Sequence, residues 1–251
     1  MTDMQTARCA IIGAMHEEMA AAQAALAGAR RVQLGGREVW LGRWHAHEVV
    51  LATSGIGKVA AASCATLLLA RFGAQRVLLA GTAGALDGAL RVGDAVAAGA
   101  FVQHDMDASP LFPRFEVPLT GRSRFETDAA LAAALAQAAR AALPGVDSGG
   151  LVAGTPRVFE GLVASGDRFV ASGAQRAALK AALPDALAAE MEGAAIAQVC
   201  SAFGAPFAAL RIISDQADAS ASVDFGRFIE CVARRSICAV LDALLRALPP
   251  L

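Results

Sequence analysis

Three short acidic strings stand where apolar segments end, and each holds residue types able to move protons or bind hydroxyls. They are Gly13-Ala14-Met15-His16-Glu17-Glu18, Ala189-Glu190-Met191-Glu192-Gly193 and Arg211-Ile212-Ile213-Ser214-Asp215. Ligands of α/β sheets bind beyond strand ends, and carboxylates placed there can act as general acid, general base or hydroxyl acceptor. Taken singly, each string also has a plainer reading. Glu17 and Glu18 suit a helix N-terminus electrostatically, and Asp215 suits a cap.

Other clusters carry less. Ser54-Gly55-Ile56-Gly57-Lys58 resembles a phosphate loop at first sight. It lacks the spacing and final hydroxyl of a P-loop, and no GxGxxG follows the first strand, so a tight turn before a helix is the expectation. His104-Asp105 with Asp107, and His45 with His47 on one strand face, contain metal-ligand types without a clear third partner. They read as solvated polar residues, and no metal is expected.

The elements that must position these groups alternate between strand and helix. Apolar runs at Arg8–Met15, Val77–Ala80, Asp94–Phe101, Gly161–Ser165, Ala186–Met191 and Phe207–Ile213 predict strands, and Val39–Trp44 with Val49–Thr53 predicts a hairpin. Helices are expected at Lys58–Arg71, Thr127–Ala142, Gly173–Ala182 and Gly193–Phe203, after Glu17-Glu18, and from about Asp224 to the end. In that last helix Ile229, Val232, Val240, Ala243 and Leu244 share a side. Gly81-Thr82-Ala83-Gly84 reads as a small-residue loop, Ser109–Gly121 with three prolines as a working loop, and Ser148–Thr155 as a Gly-rich turn. The pattern predicts an α/β fold, a central mixed sheet with helices on both faces. No linker divides it, so residues 1–251 are read as one domain.

Composition narrows the function. Lys plus Arg number 22 against 23 acids with no basic stripe, which argues against a nucleic-acid partner. The longest apolar run, Val59 to Ala70, is too short to span a bilayer, and Asp3, Glu17 and Glu18 speak against a signal peptide. Cys9, Cys64, Cys200, Cys231 and Cys238 show no paired spacing and read as small buried hydrophobes of a reducing compartment. A soluble cytoplasmic protein is expected.

Together the strings are more specific than any one of them. IIGAMHEEM, SGIGKVAAA, AGTAGAL, VASGDRF, AAEMEGAAIA and RIISDQAD follow one another in the order of a single family. From about Cys9 to the C-terminal helix the chain resembles the 5′-methylthioadenosine/S-adenosylhomocysteine nucleosidases of the nucleoside phosphorylase superfamily. The resemblance implies hydrolytic release of adenine from 5′-thio-substituted adenosines, without metal or organic cofactor, in a homodimer.

It also implies roles. Asp215 is the acid that protonates the purine N7, with Ser214 orienting it. A free aspartate titrates near 3.9, so holding that proton near neutrality requires a large upward shift, which burial favours. Glu18 activates water, and Glu192 accepts the ribose hydroxyls with Met191 packed on the sugar. Adenine lies against Phe169, its edge read by the main chain of Val170, with Ala83 and Gly84 leaving room opposite. Met15, Ile56 and Phe225 wall the ribose and the 5′ tail, Phe112 and Phe115 join Phe225 there, and Thr82 stands where many members carry serine. His16 replaces a common acid, and Ser109–Phe115 departs from the usual pattern, which leaves the 5′-substituent open. Aminodeoxyfutalosine or 5′-deoxyadenosine is an alternative substrate of the same reaction. A phosphate-dependent phosphorylase is disfavoured because Glu17 and Glu18 would repel phosphate. A non-catalytic adenosine sensor is disfavoured because all three carboxylates are present.

Overall fold

The computed structural model describes residues 9–219 and 221–251; Asp3 and Arg8, used above, lie outside the described residues. The first strand, β1 (Cys9–Gly13), is buried along its length, as its unbroken apolar run requires. Helix α1 (His16–Ala24) opens on Glu18, whose Oε2 accepts the Ala14 and Met15 N–H groups at 3.2 and 3.1 Å, satisfying donors that a helix start leaves open. A meander of β2 (Ala27–Leu34), β3 (Arg37–Trp44) and β4 (His47–Thr53) follows. The turn at 54–57 leads into α2 (Lys58–Phe72), which stops at Gly73 in the left-handed region, φ 61°.

Strand β5 (Arg76–Ala85) runs through Gly81-Thr82-Ala83-Gly84, correcting the loop expected there. Its small residues keep pairing, with β10 and then β9, so the backbone stays extended. Then come β6 (Ala95–Gln103), β7 (Arg124–Glu126) and α3 (Ala129–Ala142), capped by the Asp128 side chain. The chain continues through β8 (Val158–Ser165), α4 (Gly173–Ala182), β9 (Ala186–Glu190), α5 (Gly193–Phe203) and β10 (Phe207–Asp215). It ends with α6 (Ala221–Phe228), a π-helical stretch Ile229–Ala233, and α7 (Arg234–Ala247).

The sheet is mixed, in the order β10-β6-β8-β9-β5-β1-β4-β3-β2, with β7 on β6. Because β5 also pairs β10, strands β5, β10, β6, β8 and β9 close on themselves. One face is covered by α2 and α5 through Ala61, Cys64, Leu68, Ile196 and Cys200. On the other, α1, α3 and α7 bury Met19, Leu131, Leu135, Ile237 and Val240. The ends of β1, β5, β9 and β10 carry all three acidic strings to one place.

Candidate active site

That place is a pocket enclosing about 690 Å³ of empty space, including its open mouth. Most of the site residues named from the sequence line it: Glu18, Asp215, Glu192, Met191, Phe169, Val170, Ala83, Gly84, Thr82, Ser214, Met15, Ile56 and Phe225. Ala14, Arg168, Ala189, Glu190 and Arg211 complete the lining; they stand within the strings read from the sequence, but no individual role was expected of them. Phe112 and Phe115, expected at the 5′ tail, do not line the pocket of their own chain. Phe115 packs instead near Leu86 and Val102, with the Arg114 guanidinium 4.6 Å from its ring centroid.

The paired glutamates separate. Glu17 is exposed, while Glu18 is buried inside α1's first turn. Glu18 Oε1 accepts both the Thr82 N–H and the Thr82 hydroxyl at 3.0 Å. Burial pushes the Glu18 carboxyl above the ordinary range, opposed by the nearby Arg211 guanidinium and by the bonds from Thr82 and Met15. Glu17 does not line the pocket, so only Glu18 of the pair faces it.

Arg211 is the group the sequence hid. It is 1% exposed, pairs with Glu190, and lies 3.3 Å from Glu192 Oε2. Burial works to lower its pKa, but Glu190, Glu192 and Glu18 outweigh that and raise it, so the cation is permanent. A single arginine inside an otherwise apolar strand was the available signal, since a buried charge must be paired. Glu190 also accepts the Ser165 hydroxyl and the Glu192 and Gly193 N–H groups. It is thus an anchor in the pocket floor. Glu192 accepts the Gly57 N–H at 3.0 Å, and burial with the charge of Glu190 pushes its carboxyl up to about 7.

Asp215 closes β10. Ser214 Oγ donates to its Oδ2 at 2.7 Å and the Ala217 N–H to its Oδ1 at 2.9 Å. Gly84 permits this approach, because a Cβ there would stand 2.8 Å from Asp215 Oδ1. Across the pocket, Phe169 is 42% exposed and meets Phe225 edge to face, ring centroids 5.9 Å apart. An uncovered aromatic face beside the main chain of Val170 suits a flat heterocycle.

The weaker clusters resolve otherwise. Ser54–Lys58 is a tight turn with φ of 81° at Gly55 and 97° at Gly57. His45 lies in the hairpin turn against Asp242 at 2.7 Å, off the strand face that was expected to hold it with His47. His47 and His104 are buried, correcting their reading as solvated: His47 Nε2 is 2.9 Å from the Leu245 carbonyl, and His104 packs on Gly166. Among the described residues no group of three His, Cys, Asp or Glu side chains is placed to hold a metal ion. Cys9, Cys64 and Cys200 are buried, with thiols pushed up to about 12, 11 and 12 mainly by burial, whereas Cys231 is exposed.

A partly closed mixed sheet that brings three buried carboxylates, Glu18, Glu192 and Asp215, to one side of an aromatic cleft is the frame of an α/β enzyme for a small molecule. Residues 8–246 match the family model described as the phosphorylase superfamily. The 5′-methylthioadenosine/S-adenosylhomocysteine nucleosidase of Geobacillus kaustophilus is 39% identical over 94% of this chain and 96% of its own. Among solved structures, the nucleosidase of that type from Neisseria meningitidis in complex with methylthio-immucillin-A superposes with a TM-score of 0.87 at 33% identity, covering 96% of this chain and 99% of the other. The futalosine hydrolase of Helicobacter pylori superposes with a TM-score of 0.86 at 33% identity, covering 97% and 99%. The chain belongs to the phosphorylase superfamily and, within it, to the 5′-methylthioadenosine/S-adenosylhomocysteine nucleosidases.

Proposed function

We propose that Glu18, Glu192 and Asp215 divide the hydrolysis of the adenine–ribose bond of 5′-thio-substituted adenosines among them. The enzyme is an N-glycosidase acting on 5′-methylthioadenosine and S-adenosylhomocysteine. The observation that carries the division of labour is the convergence of these carboxylates on one pocket with Phe169, Val170 and Met191.

Breaking the bond leaves positive charge on the sugar and electron density on the purine. Asp215 gives its proton to N7, so adenine departs neutral. The Ser214 hydroxyl both donates and accepts, so it can hold the carboxyl before and after transfer. Glu18 takes a proton from water as the oxygen bonds to the sugar carbon. A base whose pKa is raised toward the working pH suits that task. Glu192 accepts the ribose hydroxyls, Met191 packs on the sugar, Phe169 stacks on adenine, and Met15, Ile56 and Phe225 wall the 5′ side.

We read residues 1–251 as one catalytic unit in the cytoplasm; among the described residues no helix is long and apolar enough to cross a membrane. The working form is a homodimer, a reading supported by apolar side chains left open near the pocket mouth, Ile56 at 58% and Val59 at 81% exposure. Sedimentation as a monomer at assay concentration would overturn it.

The test is adenine release from 5′-methylthioadenosine, S-adenosylhomocysteine, aminodeoxyfutalosine and 5′-deoxyadenosine, compared by kcat/KM in phosphate-free buffer. Full activity on the first two is expected. A strict phosphate requirement with ribose 1-phosphate formed would make the enzyme a phosphorylase. The likeness to a futalosine hydrolase favours aminodeoxyfutalosine as the second reading, so its preference would keep the chemistry and change the substrate.

A further inference from the structure

Three residues from three separate segments close a ring of hydrogen bonds beside the pocket. Lys58 Nζ donates to Asp105 Oδ1 at 2.6 Å, the Asp167 N–H donates to Asp105 Oδ2 at 2.9 Å, and the Lys58 N–H donates to Asp167 Oδ1 at 2.7 Å. Lys58 opens α2, Asp105 follows β6, and Asp167 stands two residues before Phe169. Lys58 Nζ also donates to Gln103 Oε1 at 3.0 Å, and Gln103 Nε2 donates onward to Gln198 Oε1 on α5 at 2.7 Å.

The ring meets the site at one peptide. Gly57, the residue before Lys58, gives its N–H to Glu192 Oε1 at 3.0 Å. Adjacent N–H groups at the start of α2 are therefore held by carboxylates from the two halves of the pocket: Glu192 from the ribose side and Asp167 from the purine side. Gly57 has no side chain of its own to do this, and its φ of 97° with a Cβ position 3.0 Å from Asp167 Oδ1 keeps that place for glycine.

We propose that the Lys58–Asp105–Asp167 ring is a positioning clasp. It fixes the loop carrying Phe169 and Val170 relative to Glu192, so that purine and ribose are gripped in one orientation. The inference rests on the reading of Phe169, Val170 and Glu192 as substrate contacts. Lys58 and Asp105 are only 16% and 32% exposed, so the pair is better shielded than a free surface ion pair. None of the three side chains lines the pocket, so each acts through the groups it holds.

The experiment compares Asp105→Ala, Asp105→Asn and Lys58→Met with Phe169→Ala, reading KM and kcat for 5′-methylthioadenosine together with the melting temperature. Asp105→Ala and Lys58→Met are expected to raise KM about tenfold while kcat changes less than about threefold, the mark of lost ground-state grip. Asp105→Asn keeps one carbonyl oxygen for the Asp167 N–H but turns an amide NH2 toward Lys58 Nζ, so it recovers only part of the loss. Combining Lys58→Met with Asp105→Ala should add little to either alone. If KM stays within about twofold in the clasp variants while Phe169→Ala raises it, the clasp is merely structural and the proposal falls. If Phe169→Ala also leaves KM unchanged, the purine contact itself is misassigned and the clasp falls with it.

Discussion

Both donors of Thr82, its main-chain N–H and its hydroxyl, converge on the single oxygen Oε1 of Glu18, each at 3.0 Å. The other oxygen is occupied by the N–H groups of Ala14 and Met15. A carboxylate so bound, the base proposed here, is fixed in direction, and its charged form is favoured against the burial that opposes it. Thr82→Val keeps the shape and removes only the hydroxyl. A hydrogen bond to a charged group contributes about 1.5–3 kcal/mol, so kcat/KM should fall by roughly ten- to a hundredfold. The bond lowers the Glu18 pKa, so its loss moves the acidic limb of the pH profile upward. Thr82→Ser should restore both rate and limb; a Val variant with an unaltered profile would remove Thr82 from the base's support.

The parent enzyme's own pH profile follows from the same burial. As the proposed base Glu18 must be ionised, yet burial holds it above the ordinary carboxylate range, and Glu192 is pushed up to about 7 by burial and by Glu190. Activity should therefore climb with pH through the neutral region, well above the 4.5 of a free glutamate. Stability runs the other way. A carboxyl with a raised folded-state pKa contributes stability that is whole below about 4.5 and is lost as pH rises through about 7. Glu192→Gln should thus gain stability relative to the parent at about pH 8, even as substrate binding collapses. Thermal melts of both proteins across that window check the sign, and equal pH dependence in the two would contradict it.

What the sequence disclosed, and what it hid, follows from how each feature is encoded. Fully buried strands such as β1 and β10 announce themselves as apolar runs, and α4 and α5 carry their boundaries in plain sight, Ser172 as a capping residue and Gly204 as a left-handed stop. Strand β2, AGARRVQL, was missed because it is largely exposed and held by pairing with β3, so neither alternation nor an apolar run marks it. Gly81–Gly84 looked like a loop because small residues favour turns; here they leave room, since a Cβ on Gly81 would overlap Arg211. The pocket residues were legible through contiguous motifs. Arg211 with Glu190, and the clasp around Asp105, were not, because their meaning lies in contacts between segments far apart in the chain.

Asp215 offers the sharpest separation of binding from chemistry. It is 2% exposed, with Ser214 Oγ on one oxygen and the Ala217 N–H on the other. Asp215→Asn preserves size and most hydrogen bonding but cannot deliver a proton to N7. Turnover should drop by about 10²–10⁴-fold while the Kd for substrate changes little. Ser214→Ala leaves the acid in place but frees its orientation, so a smaller loss, confined to kcat, is expected. Single-turnover adenine release with a parallel binding titration separates these, and an Asn variant as fast as the parent would unseat Asp215 as the acid.

Arg211 should matter to stability before it matters to rate. Its guanidinium is fully buried against Glu190 and beside Glu192, and removing one partner of a buried ion pair typically costs about 3–5 kcal/mol. Arg211→Met would strand two carboxylates that also repel one another, so urea unfolding should show a loss in that range. Arg211→Lys should recover only part of it, because an ammonium cannot span two acceptors as a planar guanidinium does. The discriminating variant is Arg211→Met combined with Glu190→Gln. Neutralising one stranded acid relieves both its desolvation and its repulsion of Glu192, so the double variant should be more stable than Arg211→Met alone. If the two losses simply add, the arginine is held by packing and its pairing with Glu190 contributes nothing.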